Sequence, residues 1–172
     1  LMPQRVLVTG GAGTIGTAVV KRLLRDANWE VRVSDQRTPP QWMRESCQVH
    51  TGDLRELSEA SAATEGCSHV IHLAAIVGGI ANFHKLPHTL TEMNNGLYNG
   101  VFRAALDLGV ERFTYVSSSM VFERATEFPT SEAHAWECPP PLSAYGFSKL
   151  TGEAYCRAAA AEHGLRYTIC RP

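Results

Sequence analysis

Two groups of residues, far apart in the chain, have side chains suited to acid–base chemistry. Tyr145 and Lys149 stand four residues apart in "YGFSK", so they share one face of a helix. An ammonium beside a phenol favours the phenolate, and the spacing therefore predicts a lowered pKa for Tyr145, which would make it a usable general base. Serines 117–119 in "YVSSSMVF" offer hydroxyls to hydrogen-bond the oxygen that Tyr145 deprotonates. The alternative interpretation is an accidental surface pair and ordinary turn serines.

A third group, "TGGAGTIG" at residues 9–16, has four glycines between a β-branched run and a helical pattern. In that context Gly10 can make a tight turn, Gly13 lets the backbone approach a pyrophosphate, and Gly16 lets the helix pack closely on the strand. The N–H groups at the helix start then bind the phosphates. The alternative is a turn with spare glycines.

Asp35 lies at the end of the second predicted strand, 19 residues after Gly16. A carboxylate at this position accepts hydrogen bonds from the adenosine ribose hydroxyls and repels a 2′-phosphate, so we expect NAD and consider NADP the less favoured cofactor. Arg37 favours NADP instead, because a nearby arginine can accommodate that phosphate. A solvated turn residue is the alternative for Asp35.

Strands and helices alternate along the chain. This pattern predicts an α/β fold, a doubly wound parallel sheet of the Rossmann type with strand order 3-2-1-4-5-6. The predicted strands cover 5–10, 30–35, 47–53, 69–77, 112–119 and 166–172, and the predicted helices cover 15–27, 54–66, 89–108 and 143–164, with a loop around Pro39 and Pro40.

Composition narrows the class of protein. The 172 residues make one ordinary domain, and a net charge of −1 without a basic block argues against nucleic-acid binding through phosphate neutralisation. No apolar run approaches the length of a membrane span, so we expect no membrane segment. The five cysteines are scattered without CxxC spacing, which is typical of free thiols in a reducing compartment, and we expect a cytoplasmic protein.

Together these motifs resemble the extended short-chain dehydrogenase/reductase family, in its NAD-dependent nucleotide-sugar epimerase/dehydratase branch. The resemblance extends over all 172 residues. It rests on "TGGAGTIG", Asp35, "GDL" at 52–54, "HLAA" at 72–75, Asn94, "SSSMVF" at 117–122, "YGFSK" at 145–149 and the final "RP".

The resemblance implies a role for each matching position. Tyr145 would be the catalytic base, with Ser118 as the catalytic hydroxyl and Lys149 bound to the nicotinamide ribose. The implied cofactor-binding residues are Gly10, Gly13, Thr14, Ile15 and Gly16 around the pyrophosphate, Asp35 at the adenosine ribose, Asp53 and Leu54 beside the adenine, Ala74 and Ala75 on the nicotinamide side, Asn94 from the fourth helix, and Ser117, Tyr145 and Lys149 in the pocket.

The implied reaction is oxidation of a sugar carbinol, in which Tyr145 takes the hydroxyl proton and NAD takes the hydride. Two departures narrow the choice. Ser119 and Met120 replace the Asp-Glu pair of sugar 4,6-dehydratases, and Met120 also replaces the cysteine of GDP-mannose 3,5-epimerases, which "AAIVGGI" at 74–80 otherwise resembles. What remains is 4-epimerisation of a nucleotide sugar, or dehydrogenation/reduction of another small carbonyl substrate. A non-catalytic dinucleotide-binding module is the alternative of a different class.

Family members continue beyond this length with a substrate lobe. We therefore expect residues 1–172 to be the dinucleotide-binding domain, with a substrate domain after 172. In the family, helices 89–108 and 143–163 pair across a two-fold axis, which predicts a homodimer, while packing within one chain is the alternative. His84 and His88 have no visible third ligand, so no metal site is expected. His72 is interpreted as a core residue of a buried strand, with its hydrogen bonds satisfied.

Overall fold

The computed structural model describes residues 3–77 and 85–172. Within these ranges six strands form one parallel sheet in the order β3-β2-β1-β4-β5-β6, which confirms the predicted doubly wound fold and strand order. The strands are β1 (Gln4–Thr9), β2 (Trp29–Ser34), β3 (Gln48–His50), β4 (His69–His72), β5 (Arg112–Val116) and β6 (Arg166–Cys170).

The α-helices are α1 (Thr14–Leu23), α2 (Gln41–Ser46), α3 (Leu57–Thr64), α4 (Pro87–Asp107) and α5 (Ala144–His163). Short 3₁₀ turns lie at Ser119–Phe122 and Ala133–Trp136. The prediction missed α2, which follows Pro40 in the segment expected to be a loop. Strands 3, 4 and 5 end earlier than predicted, because their carboxyl-terminal residues leave the ladder and enter the loops above the sheet.

Both faces of the sheet are covered, as the uninterrupted apolar strands predict. Along β1, Leu7 packs into one core with Val70, Phe113 and Tyr115, under α3, α4 and α5. Its neighbours Val6 and Val8 point to the opposite core, which α1 and α2 complete with Val20 and Met43. This alternation follows from the two-residue period of a strand.

The start of α5 is fixed by its cap. The Ser143 Oγ accepts a 3.1 Å hydrogen bond from the Gly146 N–H, and the Glu123 carboxylate accepts bonds from both the N–H and the hydroxyl of Ser143. Gly164, with φ of +70°, ends the helix in the left-handed conformation that favours glycine. The first turn of α5, which contains Tyr145, is therefore held firmly at its N-terminus.

None of the described helices combines the length and the apolar character needed to cross a bilayer.

Candidate active site

A cavity of about 590 Å³ opens above the carboxyl ends of the strands. It lies where the strand order reverses between β1 and β4, the switch point at which open α/β sheets bind ligands. The glycine-rich loop and Asp35 line one part of it, and Ser118, Tyr145 and Lys149 line another. The structure thus brings the three groups that the sequence singled out into one cavity.

The glycine-rich loop has no space for side chains at Gly10 and Gly16, whereas a Cβ on Gly13 would have more room, 3.2 Å from the Gly10 carbonyl oxygen. Gly10 has a φ of +66°, and a Cβ there would lie 2.8 Å from the Ala74 amide nitrogen. A Cβ on Gly16 would lie only 2.4 Å from the Gly10 carbonyl oxygen, so α1 packs directly on the turn. Thr14 and Ile15 form the first turn of α1, whose N–H groups lack intrahelical partners. This cradle fits a pyrophosphate at a helix N-terminus.

Asp35 connects the end of β2 to this cradle. Its carboxylate accepts a 3.0 Å hydrogen bond from the Ala12 N–H and a 2.9 Å bond from the Arg37 N–H. The Arg37 guanidinium forms an ion pair with it at 3.4 Å and is mostly exposed, whereas the Asp35 side chain is nearly buried. The two residues line the same end of the cavity, so a carboxylate and a guanidinium face the same space.

Thr9, which the sequence analysis overlooked, fixes the cavity wall formed by the loop after β4. Its Oγ1 accepts hydrogen bonds from the N–H groups of Leu73 (3.2 Å) and Ala74 (3.1 Å), and lies 2.7 Å from His72 Nδ1. Because the hydroxyl proton goes to Nδ1, the neutral imidazole carries its proton on Nε2. His72 is fully buried, as predicted, but the prediction that its hydrogen bonds are satisfied is wrong, because its Nε2 has no partner among the described residues. Burial, with a smaller contribution from Lys149, lowers its pKa to about 3.

Tyr145 is hydrogen-bonded to Ser118, and this bond favours the phenolate. Burial acts more strongly and raises the pKa of Tyr145, so the predicted lowering by Lys149 is wrong. The Lys149 Nζ lies 5.9 Å from the Tyr145 ring centroid and donates a 2.8 Å hydrogen bond to the Val116 carbonyl. Burial lowers the pKa of Lys149 to about 8. Spacing placed the pair on one helix face correctly but gave no measure of burial.

The two predicted serines have different partners. Ser118 Oγ accepts a 3.2 Å bond from the Met120 N–H and caps the following 3₁₀ turn, beside Tyr145. Ser117 donates a 2.6 Å bond to the buried carboxylate of Glu153, which also binds Arg171. The sequence analysis missed Glu153, although it follows Lys149 by four residues and so lies on the same helix face.

Two predicted cofactor contacts are not part of the cavity wall. Asn94 is buried behind it, where its side chain accepts from the Ile76 N–H (2.8 Å) and donates to the Ile76 carbonyl (3.1 Å). Asp53 pairs with Arg55, which lowers the pKa of the carboxyl group. The other predicted residues line the cavity: Gly10, Gly13, Thr14, Ile15, Gly16, Asp35, Leu54, Ala74, Ala75, Ser117, Ser118, Tyr145 and Lys149.

Metal binding finds no support in the described ranges, where no three His, Cys, Asp or Glu side chains are placed to share an ion. His84 and the end of the "AAIVGGI" segment (78–80) lie outside the described residues.

A doubly wound parallel sheet with a glycine-rich turn at its switch point defines a Rossmann-type α/β protein. Residues 6–172 match the NAD dependent epimerase/dehydratase family, and the chain belongs to that family. The predicted resemblance and the predicted NAD dependence of the family are thereby confirmed.

Individual relatives agree with this assignment. GDP-mannose 3,5-epimerase 1 of Oryza sativa subsp. japonica is 28% identical over 97% of this chain and 45% of its own length. The structure of UDP-glucose 4-epimerase with UDP-glucose from Thermotoga maritima has a TM-score of 0.85 and 28% identity, and covers 98% of this chain and 55% of that one. The Thermus thermophilus UDP-glucose 4-epimerase complex with NAD has a TM-score of 0.84 and 28% identity, with coverages of 98% and 54%. The chain spans about half the length of the curated relatives it matches.

Proposed function

We propose that this chain is the dinucleotide-binding domain, with the catalytic residues, of an NAD-dependent nucleotide-sugar epimerase that works by transient oxidation of one carbinol. One observation carries the proposal: a continuous cavity joins the glycine cradle and Asp35 to Ser118, Tyr145 and Lys149. An acid–base group within reach of a dinucleotide cradle is what oxidation of a carbinol requires.

The described residues suit each part of the cofactor. The glycine loop and the start of α1 would bind the pyrophosphate, Asp35 the adenosine ribose, and Leu54 the adenine. Ala74, Ala75 and Ser117 would flank the nicotinamide, with Lys149 at its ribose, while Asn94 and Asp53 would act indirectly through Ile76 and Arg55. When bound, NAD accepts and returns a hydride at its nicotinamide.

In this proposal Tyr145 removes the proton from the substrate hydroxyl, and Ser118 hydrogen-bonds the same oxygen. The raised pKa of Tyr145 means that its phenol holds a proton at neutral pH, so Tyr145 must first release that proton to solvent before it can act as the base. The hydrogen bond with Ser118 favours the phenolate that this step requires. In an epimerase Tyr145 returns the proton when the sugar has presented its other face.

Among epimerases, the 4-epimerase type fits these residues best. The relatives include both 3,5- and 4-epimerases. In the 3,5-epimerase pattern a cysteine stands where this chain has Met120, and a thioether carries no exchangeable proton. Oxidation and reduction at one carbon need no acid–base residue in addition to Tyr145 and Ser118.

The substrate and assembly are proposed on the same basis. We expect the nucleotide sugar to bind between this domain and a substrate domain after residue 172. We also propose a homodimer through α4 and α5, since Ala154, Ala158 and Ala161 form an exposed stripe of small residues on α5. The five free thiols favour a cytoplasmic location.

The experiment has two stages. Calorimetric titration of the purified chain with NAD tests the cradle, and ¹H NMR of the protein together with its substrate lobe, incubated with UDP-glucose or GDP-mannose and NAD, tests the reaction. We expect saturable binding and conversion to the C4 epimer without net NADH. Net NADH formation would instead identify a dehydrogenase, and binding without turnover would identify a non-catalytic module. Absence of NAD binding would overturn the proposal.

A further inference from the structure

Tyr115 of β5 contacts both ends of Lys149. Its hydroxyl lies 3.2 Å from the Lys149 carbonyl oxygen and, because a carbonyl can only accept, Tyr115 is the donor. The Lys149 Nζ lies over the ring of the same tyrosine, 5.4 Å from its centroid. One buried side chain therefore contacts both the backbone and the ammonium of a residue that lines the cavity.

The Tyr115 hydroxyl belongs to a buried network behind the site. Since its one proton goes to Lys149, at 2.9 Å it accepts from the Tyr98 hydroxyl of α4, which neighbours Ser148. Ser148 in turn donates a 3.0 Å bond to the Tyr145 carbonyl. The Tyr115–Lys149 bond thus joins the start of α5 to β5, whereas the Ser148–Tyr145 bond lies within the first turns of α5.

Gly152 shows how closely α5 approaches this tyrosine. A Cβ added to Gly152 would lie 2.2 Å from the Tyr115 hydroxyl oxygen and 2.3 Å from the ring carbon that bears it. No other residue type fits at 152 while Tyr115 keeps its place. The contact between helix and ring is therefore a specific fit and not loose core packing.

The electrostatics around Nζ give the ring a role beyond packing. Lys149 is almost fully buried, and its ammonium donates to the Val116 carbonyl at 2.8 Å. The face of an aromatic ring is negative and stabilises a cation placed over it. Among the described titratable neighbours, His72 from β4 has its pKa lowered to about 3 and Tyr98 from α4 has its pKa raised to about 12, so both are neutral near pH 8. On α5 itself, the Glu153 carboxylate is paired with Arg171, and Tyr145 is bonded to Ser118.

We propose that Tyr115 is a positioning residue for Lys149. Its hydroxyl fixes the position of the lysine backbone relative to β5, and its ring keeps the side-chain ammonium charged and in place beside Tyr145. The importance of this arrangement for catalysis rests on the proposed function. The arrangement itself can be tested without cofactor or substrate.

The test is an NMR titration of the Lys149 side chain, read from its Cε and Nζ signals and assigned with Lys149→Arg. Replacing Tyr115 by Phe should leave the pKa of Lys149 close to the wild-type value, since the ring remains. Tyr115→Leu removes the ring and should lower that pKa by about 1.5 units, the size of a buried cation–π contact. Phe113→Leu is the matched control, because Phe113 is equally buried on the same strand and stacks on Phe102 instead. It should leave the Lys149 titration unchanged.

A second series keeps the shape of the side chain and so avoids any failure to fold. Phenylalanine with one, two or three ring fluorines at position 115 withdraws electrons from the ring face stepwise. The pKa of Lys149 should fall with each fluorine. An unchanged titration across the series, or the same shift in Phe113→Leu as in Tyr115→Leu, would overturn the proposal. A shift as expected in a chain that does not bind NAD would leave the positioning role intact and refute the proposed function instead.

Discussion

The buried carboxylate of Glu153 forms two 2.8 Å hydrogen bonds with the guanidinium of Arg171, one to each carboxylate oxygen. Glu153 is fully buried, and the Arg171 side chain is only 14% exposed. The pair joins α5 to the chain just after β6, and the end of β6 with the residues after it supports Ser118, the proposed catalytic serine, on both sides. The Ser117 N–H donates to the Cys170 carbonyl at 2.7 Å, and the Ser119 N–H donates to the Pro172 carbonyl at 2.8 Å.

Arg171→Met should lower the free energy of unfolding by about 3 to 5 kcal/mol, because it leaves Glu153 as an uncompensated buried charge. The matched control is Arg103→Met, which breaks an exposed ion pair of the same 2.8 Å length with Asp107 and should cost less than about 1 kcal/mol. Urea denaturation at pH 7 measures both. Equal losses in the two variants would show that burial does not make loss of the Glu153 pair more destabilising than loss of an exposed ion pair.

Tyr145→Phe should reduce turnover by about two to four orders of magnitude, the usual contribution of general acid–base catalysis. The ring and its packing remain, so affinity for NAD should stay within about threefold of wild type, a difference under about 0.7 kcal/mol. Tyr167→Phe removes a hydroxyl from β6, away from the cavity lining, and serves as the control with normal turnover. Substantial activity in Tyr145→Phe would exclude this tyrosine as the base.

Asp35→Asn should raise the affinity for NADP relative to NAD by about tenfold or more, because juxtaposed like charges cost several kcal/mol. The amide retains an oxygen that can accept from the Ala12 N–H, so the loop should keep its geometry. Adding Arg37→Ala to this variant should reverse the gain by removing the remaining positive partner for the 2′-phosphate. Titration calorimetry with both cofactors provides the ratio, and an unchanged ratio in Asp35→Asn would show that the carboxylate does not set the preference.

The sequence predicted the strand order of the sheet and most of the residues that line the cavity. Both predictions rest on local signals, namely the alternation of strands and helices and the spacing of the glycines. It missed α2, whose six residues are too short to show a helical period. Spacing placed Tyr145 and Lys149 on one face but could not measure desolvation, which decides the direction of the Tyr145 pKa. Asn94 was recognised by type, yet its partner is the backbone of Ile76, a contact that depends on how the loop after β4 folds.

Gly16→Ala should abolish NAD binding and destabilise the fold, because the added Cβ would lie 2.4 Å from the Gly10 carbonyl and 2.6 Å from the Gly11 Cα. Backbone atoms cannot yield as a flexible side chain would. Gly109→Ala is the control: its φ of +67° disfavours alanine by about 1 to 2 kcal/mol, but nothing lies within 4 Å of the new Cβ. Calorimetry and thermal unfolding compare the two. If Gly16→Ala were no worse than Gly109→Ala, close packing of α1 on the turn would not be required.

Buried His72 should make the chain less stable as the pH falls. Its folded pKa of about 3 lies far below the value of about 6.5 expected in the unfolded chain, so below pH 6.5 the unfolded state binds a proton that the native state does not. The stability is fully present above pH 6.5 and is lost toward pH 3, at about 1.4 kcal/mol per pH unit. The Nε2 proton is buried without a hydrogen-bond partner among the described residues, and Nδ1 already accepts from Thr9, so a second proton would displace that bond.

His72→Asn isolates this effect, since an amide oxygen can accept from the Thr9 hydroxyl but does not titrate in this range. The variant should be less stable than wild type at pH 7, because its smaller side chain leaves a cavity, and the difference should shrink as the pH falls to 5. His88→Asn, at a side chain that is 90% exposed, should keep the pH dependence of the wild type. Urea denaturation at pH 7, 6 and 5 gives the three slopes. Parallel curves for wild type and His72→Asn would show that His72 binds protons equally in the folded and unfolded chain, which contradicts its buried neutral form.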